Sequence, residues 1–480
     1  MKKTSLFSAN SVAVAVAALC ATMPAFAQVE AKVTGRVHFD TRNINDFGLN
    51  QIADRDSASV GDNFEVRRAR IGISGAINKD ITYEVVGNAV GSNTNFVDTA
   101  FVNYGFNKAG QLRAGRFKQP FSLEELTSSN NIDFMERSYV NQITPGKKLG
   151  AMIHGANDAG FTYAASLYQN DFAELSNSDG AGTMGALRVT GDLAKLAKMG
   201  EGKAVVHLGL GYDKGSYETL ATSSGNTAKP AKADENRATI ISFRDENRGL
   251  SNAYRLQIGG DTVSTAGYGL TANNTVSVDK TTNALELAVA YGPFKFQGET
   301  ANSKFDASTN RCNYTAITTG ACTTSLGTAT LNADVKTQYI ALVYNITGED
   351  FAKSYSKGAF GGIKPTSEFM KDYGGVVGNG TGAWQVGYRY STYETTLTQA
   401  ASAAGAITDG SSSAKSRFQN SPKANTSTYS LNWILNSNAR VMFNYSQTKF
   451  GSAVEYLDTD ANTSTTKKED IFSVRTQINF

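Results

Sequence analysis

No stretch of eighteen consecutive apolar residues occurs in this 480-residue chain. That absence excludes a membrane protein built from transmembrane helices. Net charge is nearly absent too. Removing the first 27 residues leaves 44 basic against 43 acidic side chains, so the rest of the chain is not a basic nucleic-acid binder. Proline is scarce, at 7 residues against 46 glycines, which suits strands joined by tight turns. Histidine is scarcer still. His38, His154 and His207 stand apart, with no serine or carboxylate at the spacing of a hydrolase, so a barrel enzyme lacks its nucleophile and base. No cluster of ligand residues calls for a metal or another cofactor.

What the chain has in quantity is aromatic residues, 21 Tyr and 25 Phe, set in segments of alternating polarity. The last twelve residues read EDIFSVRTQINF. Phe472, Val474, Ile478 and Phe480 fall on one face, while Ser473, Arg475, Gln477 and Asn479 fall on the other. A period of two is a β-strand with one apolar and one polar side. Such a strand spans a bilayer when its apolar face meets lipid and its polar face meets a wet lumen. A chain that stops on this strand at Phe480 is expected to be an outer-membrane barrel.

The N-terminus points the same way. Lys2 and Lys3 precede an apolar stretch, and Ala25-Phe26-Ala27 offers a small-x-small cleavage site, so residues 1–27 read as a signal peptide. The barrel domain is then 28–480. About 36 residues separate that site from the first strand quoted below, too few for the plug domain of a gated receptor. Cys312 and Cys322 remain after processing. In an exported chain their spacing reads as a disulfide that closes one surface loop.

Repeated hairpins fill the body of the chain. FEVRRARIGISGAI turns at Asn78-Lys79-Asp80 into ITYEVVGNAV, and DTAFVNYGF turns at 107–110 into QLRAGRF. TYSLNWIL and ARVMFNYSQ pair around Asn436-Ser437-Asn438 near the end. Short turns on one side and long polar loops on the other (214–237, 302–334 and 396–425) give the asymmetry of an outer-membrane barrel. Sixteen to eighteen segments qualify as strands, and an even number favours sixteen. Residues 118–148 break the pattern, with a helical turn expected at Leu123–Leu126. A loop of that length inside a wide barrel is expected to fold inward as a constriction. The fold class is therefore an all-β transmembrane antiparallel β-barrel of about 16 strands with an inward constriction loop.

RRARIGISG at 67–75, GRFKQPFSLEELTSS at 115–129 and FMERS at 134–138 resemble the signature block of the phosphate-selective porin O/P family of Gram-negative outer membranes. Residues 346–365, 382–391 and 432–448 are similar to that family's C-terminal half. The resemblance implies a sixteen-stranded homotrimer whose third loop folds into the pore and whose lumen arginines attract phosphate or other small anions. It also implies a location in outer-membrane lipid.

Parity directs Arg68, Arg70, Arg113, Arg188, Arg389, Arg440 and Arg475 inward, and places Arg67 on the lipid side. Arg116, Lys118, Arg137, Lys147 and Lys148 flank or lie within 118–148, beside Glu124, Glu125, Asp133 and Glu136. The anion-attracting set is accordingly Arg68, Arg70, Arg113, Arg116, Lys118, Arg137, Arg188 and Arg389. The expected function is a water-filled passive channel for small hydrophilic solutes with a preference for anions. The competing readings are a general non-selective porin and a structural or adhesin barrel.

Overall fold

The computed structural model describes residues 30–45, 63–90, 96–107, 109–170, 182–199, 202–220, 238–249, 254–258, 268–269, 275–313, 324–369, 380–402, 423–457 and 463–480. The cleavage site at Ala27 and the Cys312–Cys322 bridge lie outside the described residues, as does the Cys312 side chain.

Sixteen antiparallel strands close into a barrel: β1 (Glu30–Asn45), β2 (Asn63–Ala76), β3 (Ile81–Asn88), β4 (Val97–Asn107), β5 (Gly110–Lys118), β6 (Lys147–Ala156), β7 (Phe161–Gln169), β8 (Thr183–Asp192), β9 (Ala204–Leu220), β13 (Thr275–Tyr291), β14 (Phe294–Asn313), β15 (Thr324–Asn345), β18 (Ala383–Ser402), β19 (Lys423–Ile434), β20 (Ala439–Leu457) and β21 (Thr463–Asn479). Each pairs with its neighbour in the wall, and β1 pairs with β21 to close the ring. Closure removes the sheet edges that hydrocarbon cannot satisfy. Three smaller pieces stand outside this count. They are the hairpin β10 (Ala238–Phe243) with β11 (Tyr254–Ile258), the two residues of β12 (Tyr268–Gly269) beside β14, and the inner hairpin β16 (Tyr355–Ser356) with β17 (Ala359–Phe360).

Alternation decides the two faces. Ile71, Val102, Leu112, Ile153, Leu187, Leu210, Ile340 and Leu342 are exposed on the outside, whereas the charged side chains of the same strands, such as Arg70, Arg113 and Arg188, face inward. The strand QYIALVYNI shows the rule at its limit. Ile340, Leu342 and Tyr344 face out, while Tyr339, Ala341 and Val343 are buried against the lumen contents.

The structure corrects the sequence reading of the wall in two places. The stretch 302–334 is mostly strand, because β14 and β15 run on as a tall hairpin paired beyond Ser308. β11 stands outside the wall, since it pairs only with β10. At the short-turn end one connection is long: after β15 the chain dips into the lumen as β16–β17, and Phe369 and Gly382 lie back at the rim. A polar chain can leave the rim in this way because the lumen supplies hydrogen-bond partners that lipid does not.

Phe480 extends the seam between the first and last strands by one pair. Gly35 and Phe480 exchange both backbone hydrogen bonds, at 2.8 and 3.1 Å. The Phe480 ring lies over Gly35, where an added Cβ would meet the ring at 2.3 Å. We predict that Gly35→Val forces that ring aside and weakens closure by about 1–3 kcal/mol, as overpacking does. The temperature at which the folded gel band converts to the unfolded one should fall. An unchanged conversion temperature would show that Phe480 does not hold the seam.

Candidate functional site: a cation-lined lumen

Residues 119–146 fold into the barrel and are buried along most of their length. The segment opens with the helical turn Leu123–Leu126, capped by Ser122, whose hydroxyl accepts from Glu125 N at 3.2 Å. Glu299 of β14 accepts from Leu123 N at 3.0 Å and Glu124 N at 2.7 Å, fastening the first turn to the wall. Phe121, Leu123, Tyr139 and Val140 then pack into an apolar core against β9, β13, β14 and β15.

Wall arginines clamp the rest of the segment. Arg389 of β18 donates to Glu124 Oε1 at 3.0 Å and to the Glu136 carbonyl at 2.9 Å, and pairs with Glu246. Arg475 of β21 holds both oxygens of Asp40 at 2.7 Å and reaches Glu136 at 2.9 Å. Arg440 donates to the carbonyls of Ile132 at 2.8 Å and Ser129 at 3.2 Å. Lys295 meets Asp133 at 2.6 Å. A second insert, residues 240–249, enters from the loop end beside this clamp. Phe243 stacks on Tyr393 with centroids 4.5 Å apart, and Asp245 accepts from Thr448 Oγ1 at 2.5 Å.

These clamps fill one side of the lumen and leave a passage of about 840 Å³ along the other. Eleven cationic side chains line it: Arg36, Arg68, Arg70, Arg113, Arg116, Lys118, Arg137, Lys147, Lys148, Arg188 and Lys357. Among the described residues only three carboxylates do: Glu84, Asp98 and Glu125. Asp98 pairs with Arg70 at 2.8 Å and with Lys147. Glu125 pairs with Lys118 at 3.5 Å and Arg137 at 3.4 Å. Arg188 is bound to Glu286 and to the Gly358 carbonyl of the inner hairpin, at 2.6–2.8 Å. Arg113 lies over the Phe101 ring at 4.1 Å. Arg68 keeps Nε and Nη1 without a hydrogen-bond partner.

Of the eight residues expected to attract anions, seven therefore line the passage. Arg389 does not. It is fully buried in the clamp, because the carboxylates of Glu124 and Glu246 meet it there. Arg67 is not on the lipid side. Opposite His38 and Phe39 the register of β2 skips one residue, a β-bulge that turns both Arg67 and Arg68 inward. Arg67 then binds Glu136 through two hydrogen bonds, of 2.8 and 3.1 Å. A similar skip opposite Val86 and Gly87 brings Asp98 into the lumen. Residues 118–148 are balanced in sequence, but Glu124, Asp133 and Glu136 turn away from the passage into the clamp, so only Glu125 faces it.

Sequence reasoning missed Arg36, Asp98 and Lys357. The alternation Val33-Gly35-Val37-Phe39 signals β1 and would have directed Arg36 inward. Lys357 carries no such signal, since it sits at the tip of an inner turn at φ +49° beside Gly358 at +75°.

A closed sixteen-stranded barrel, apolar outside and narrowed within by a clamped loop, defines an outer-membrane porin. The chain belongs to the family of phosphate-selective porins O and P, which it matches over residues 31–243 and 229–480. None of the curated proteins matches it. Among solved structures it is similar to OmpT, an outer membrane protein of Vibrio cholerae, at 9% identity over 95% of this chain and 99% of that one, TM-score 0.47. It is similar to the anion-selective porin from Comamonas acidovorans at 12% identity, over 94% and 100% of the two chains, TM-score 0.44. It is also similar to the outer membrane channel DcaP of Acinetobacter baumannii at 9% identity, over 95% and 99%, TM-score 0.44.

The clamp has a defined pH response. Burial alone would raise the Glu136 carboxyl, but Arg67 and Arg475 outweigh it and hold the group well below its ordinary value. A lowered carboxyl contributes stability above its unfolded value and loses it as pH falls through the folded one. On the insert, burial raises Asp245 and lifts Glu246 to about 7 despite Arg389, so acidification neutralises those groups in the direction the fold favours. We predict flat open-channel noise from neutral pH down through the ordinary carboxylate range, about pH 4, with loop release only below it. Noise that rises already near pH 6 in bilayer recordings (about two units above that range) would contradict the clamp.

Proposed function

We propose that this porin is a passive channel that prefers small anions, moderately rather than exclusively, and that it works as a homotrimer. The observation that carries the preference is the sorting of charge. Eleven cations and three carboxylates line the passage, while the other acids of the inward loop are spent on the clamp. The cations also succeed one another along the strands. Along β5 they run Arg113, Arg116 and Lys118 from the short-turn end to the loop end, and on β2 Arg68 and Arg70 stand two residues apart. An anion that sheds part of its hydration shell in a narrow passage finds replacement donors at each level.

Magnitude favours the lining over net charge. At water's dielectric constant a unit charge ~7 Å from the ion path is worth about 0.6 kcal/mol, or roughly threefold in local anion concentration. A charge farther from the path than the ~8 Å screening length at physiological salt counts for little. Asp98 and Glu125 stand inside the passage, each shared by two cations, and they support a moderate preference and a broad range of small hydrophilic solutes.

Replacing Arg68, Arg70 and Lys118 together with Gln should lower the chloride-to-potassium permeability ratio by up to about 27-fold, three charges at roughly threefold each. Reversal potentials across planar bilayers, first in chloride and then in phosphate, measure it. A ratio unmoved by the triple substitution would mean that these side chains only brace the lumen, and the non-selective reading would stand.

The trimer accounts for the exposed Ile340, Leu342 and Tyr344 only in part, since lipid also covers apolar surface. Crosslinking in mild detergent should yield a band at three times the monomer mass. A monomer band alone would count against the assembly.

A further inference from the structure

The connections at the short-turn end are mostly polar and brief, as at 77–80, 157–160 and 435–438. The connection from β8 to β9 is built differently. Asp192 caps a helical turn, Leu193–Leu196, accepting from Lys195 N at 3.4 Å and from Val206 N at 3.1 Å. Ala194 is buried beneath it. Leu193, Leu196 and Met199, in contrast, are 43%, 47% and 62% exposed. Three large apolar side chains on one short turn are more than scattered surface residues.

Their position says what covers them. Leu187, Val189 and Gly191 form the outward row of β8, and Leu193 and Leu196 lie beside Gly191, with side-chain atoms within 3.9 Å of where its Cβ would stand. Phe161 of β7, paired with Gly191, is exposed on the same side. The apolar turn thus continues the lipid-facing band of the wall past the end of the strands. Its rim is cationic: Lys195, Lys198 and Lys203 are exposed and have no carboxylate partner among the described residues. Asp192 is committed to its cap. In sequence the connection holds one other acid, Glu201. Lysines can reach from an apolar footing toward headgroup phosphates while the leucines stay in the acyl region.

We propose that residues 193–199 with Lys203 form a membrane foot that binds anionic glycerophospholipid in the leaflet at the short-turn end. The foot has two parts with separate effects. The apolar row gives affinity for any bilayer, and the three lysines give preference for a negative headgroup.

The experiment uses the purified full-length protein, delipidated in detergent, with dioleoylphosphatidylglycerol or dioleoylphosphatidylcholine added and retention read by native mass spectrometry. Wild type should retain phosphatidylglycerol over phosphatidylcholine. The variant Lys195→Gln/Lys198→Gln/Lys203→Gln should lose that preference by about fivefold or more, with the barrel intact by heat modifiability. Leu193→Ser/Leu196→Ser/Met199→Ser should retain less of both lipids. Unchanged phosphatidylglycerol preference in the lysine variant would overturn the proposal. So would conversion of the serine variant to a smaller oligomer with lipid retention intact, which would make this turn a subunit contact.

Discussion

An arginine inside a barrel must be matched, and most of this structure follows from how that requirement is met. Arg389 and Arg475 are fully buried, and Arg440 and Arg188 nearly so. A buried guanidinium without partners is costly, and one that meets carboxylates and carbonyls becomes a fixed point. The inward loop supplies those partners through Glu124, Glu136 and the carbonyls of Ser129 and Ile132. The wall therefore selects the path of the loop as much as the loop narrows the wall.

That pairing also partitions the lumen. On the side of β13, β14, β15 and β18 to β21, charges cancel and the space fills with the loop and the 240–249 insert. On the side of β1 to β8 the carboxylates are few, and cations face an open passage. The inner hairpin β16–β17 borders the passage near its short-turn end, where Arg188 and His207 hold it through the Gly358 carbonyl and the Tyr355 hydroxyl, at 2.8 and 2.6 Å. The protein's near-neutral net charge thus conceals two unlike halves of one lumen.

Two β-bulges sharpen the division. Each adds one inward residue to a strand whose alternation would have sent it to lipid. At Arg67 the gain is a bidentate partner for Glu136, which strengthens the clamp. At Asp98 the gain is a carboxylate on the passage that holds Arg70 and Lys147 in place. A single skipped register changes the role of a charged residue from lipid misfit to structural part.

The sequence by itself determined the barrel, a count of sixteen to eighteen strands, the inward segment near 118–148 and the helical turn at Leu123–Leu126. These rest on a period of two and on its interruption, and both are local properties of the chain. Parity alone placed Arg68, Arg70 and Arg113 inward, because side chains alternate wherever a strand is regular. Only the tertiary structure decided which inward charges face open space. Arg389 and Arg68 are equivalent by pattern, yet one meets Glu124 and Glu246 in the clamp while the other lines the passage. Arg67 and Asp98 needed a register shift, and Lys357 an inward hairpin, neither of which has a periodic signature. Charge is written along the chain, but its neutralisation depends on contacts between residues hundreds of positions apart, such as Arg475 with Glu136.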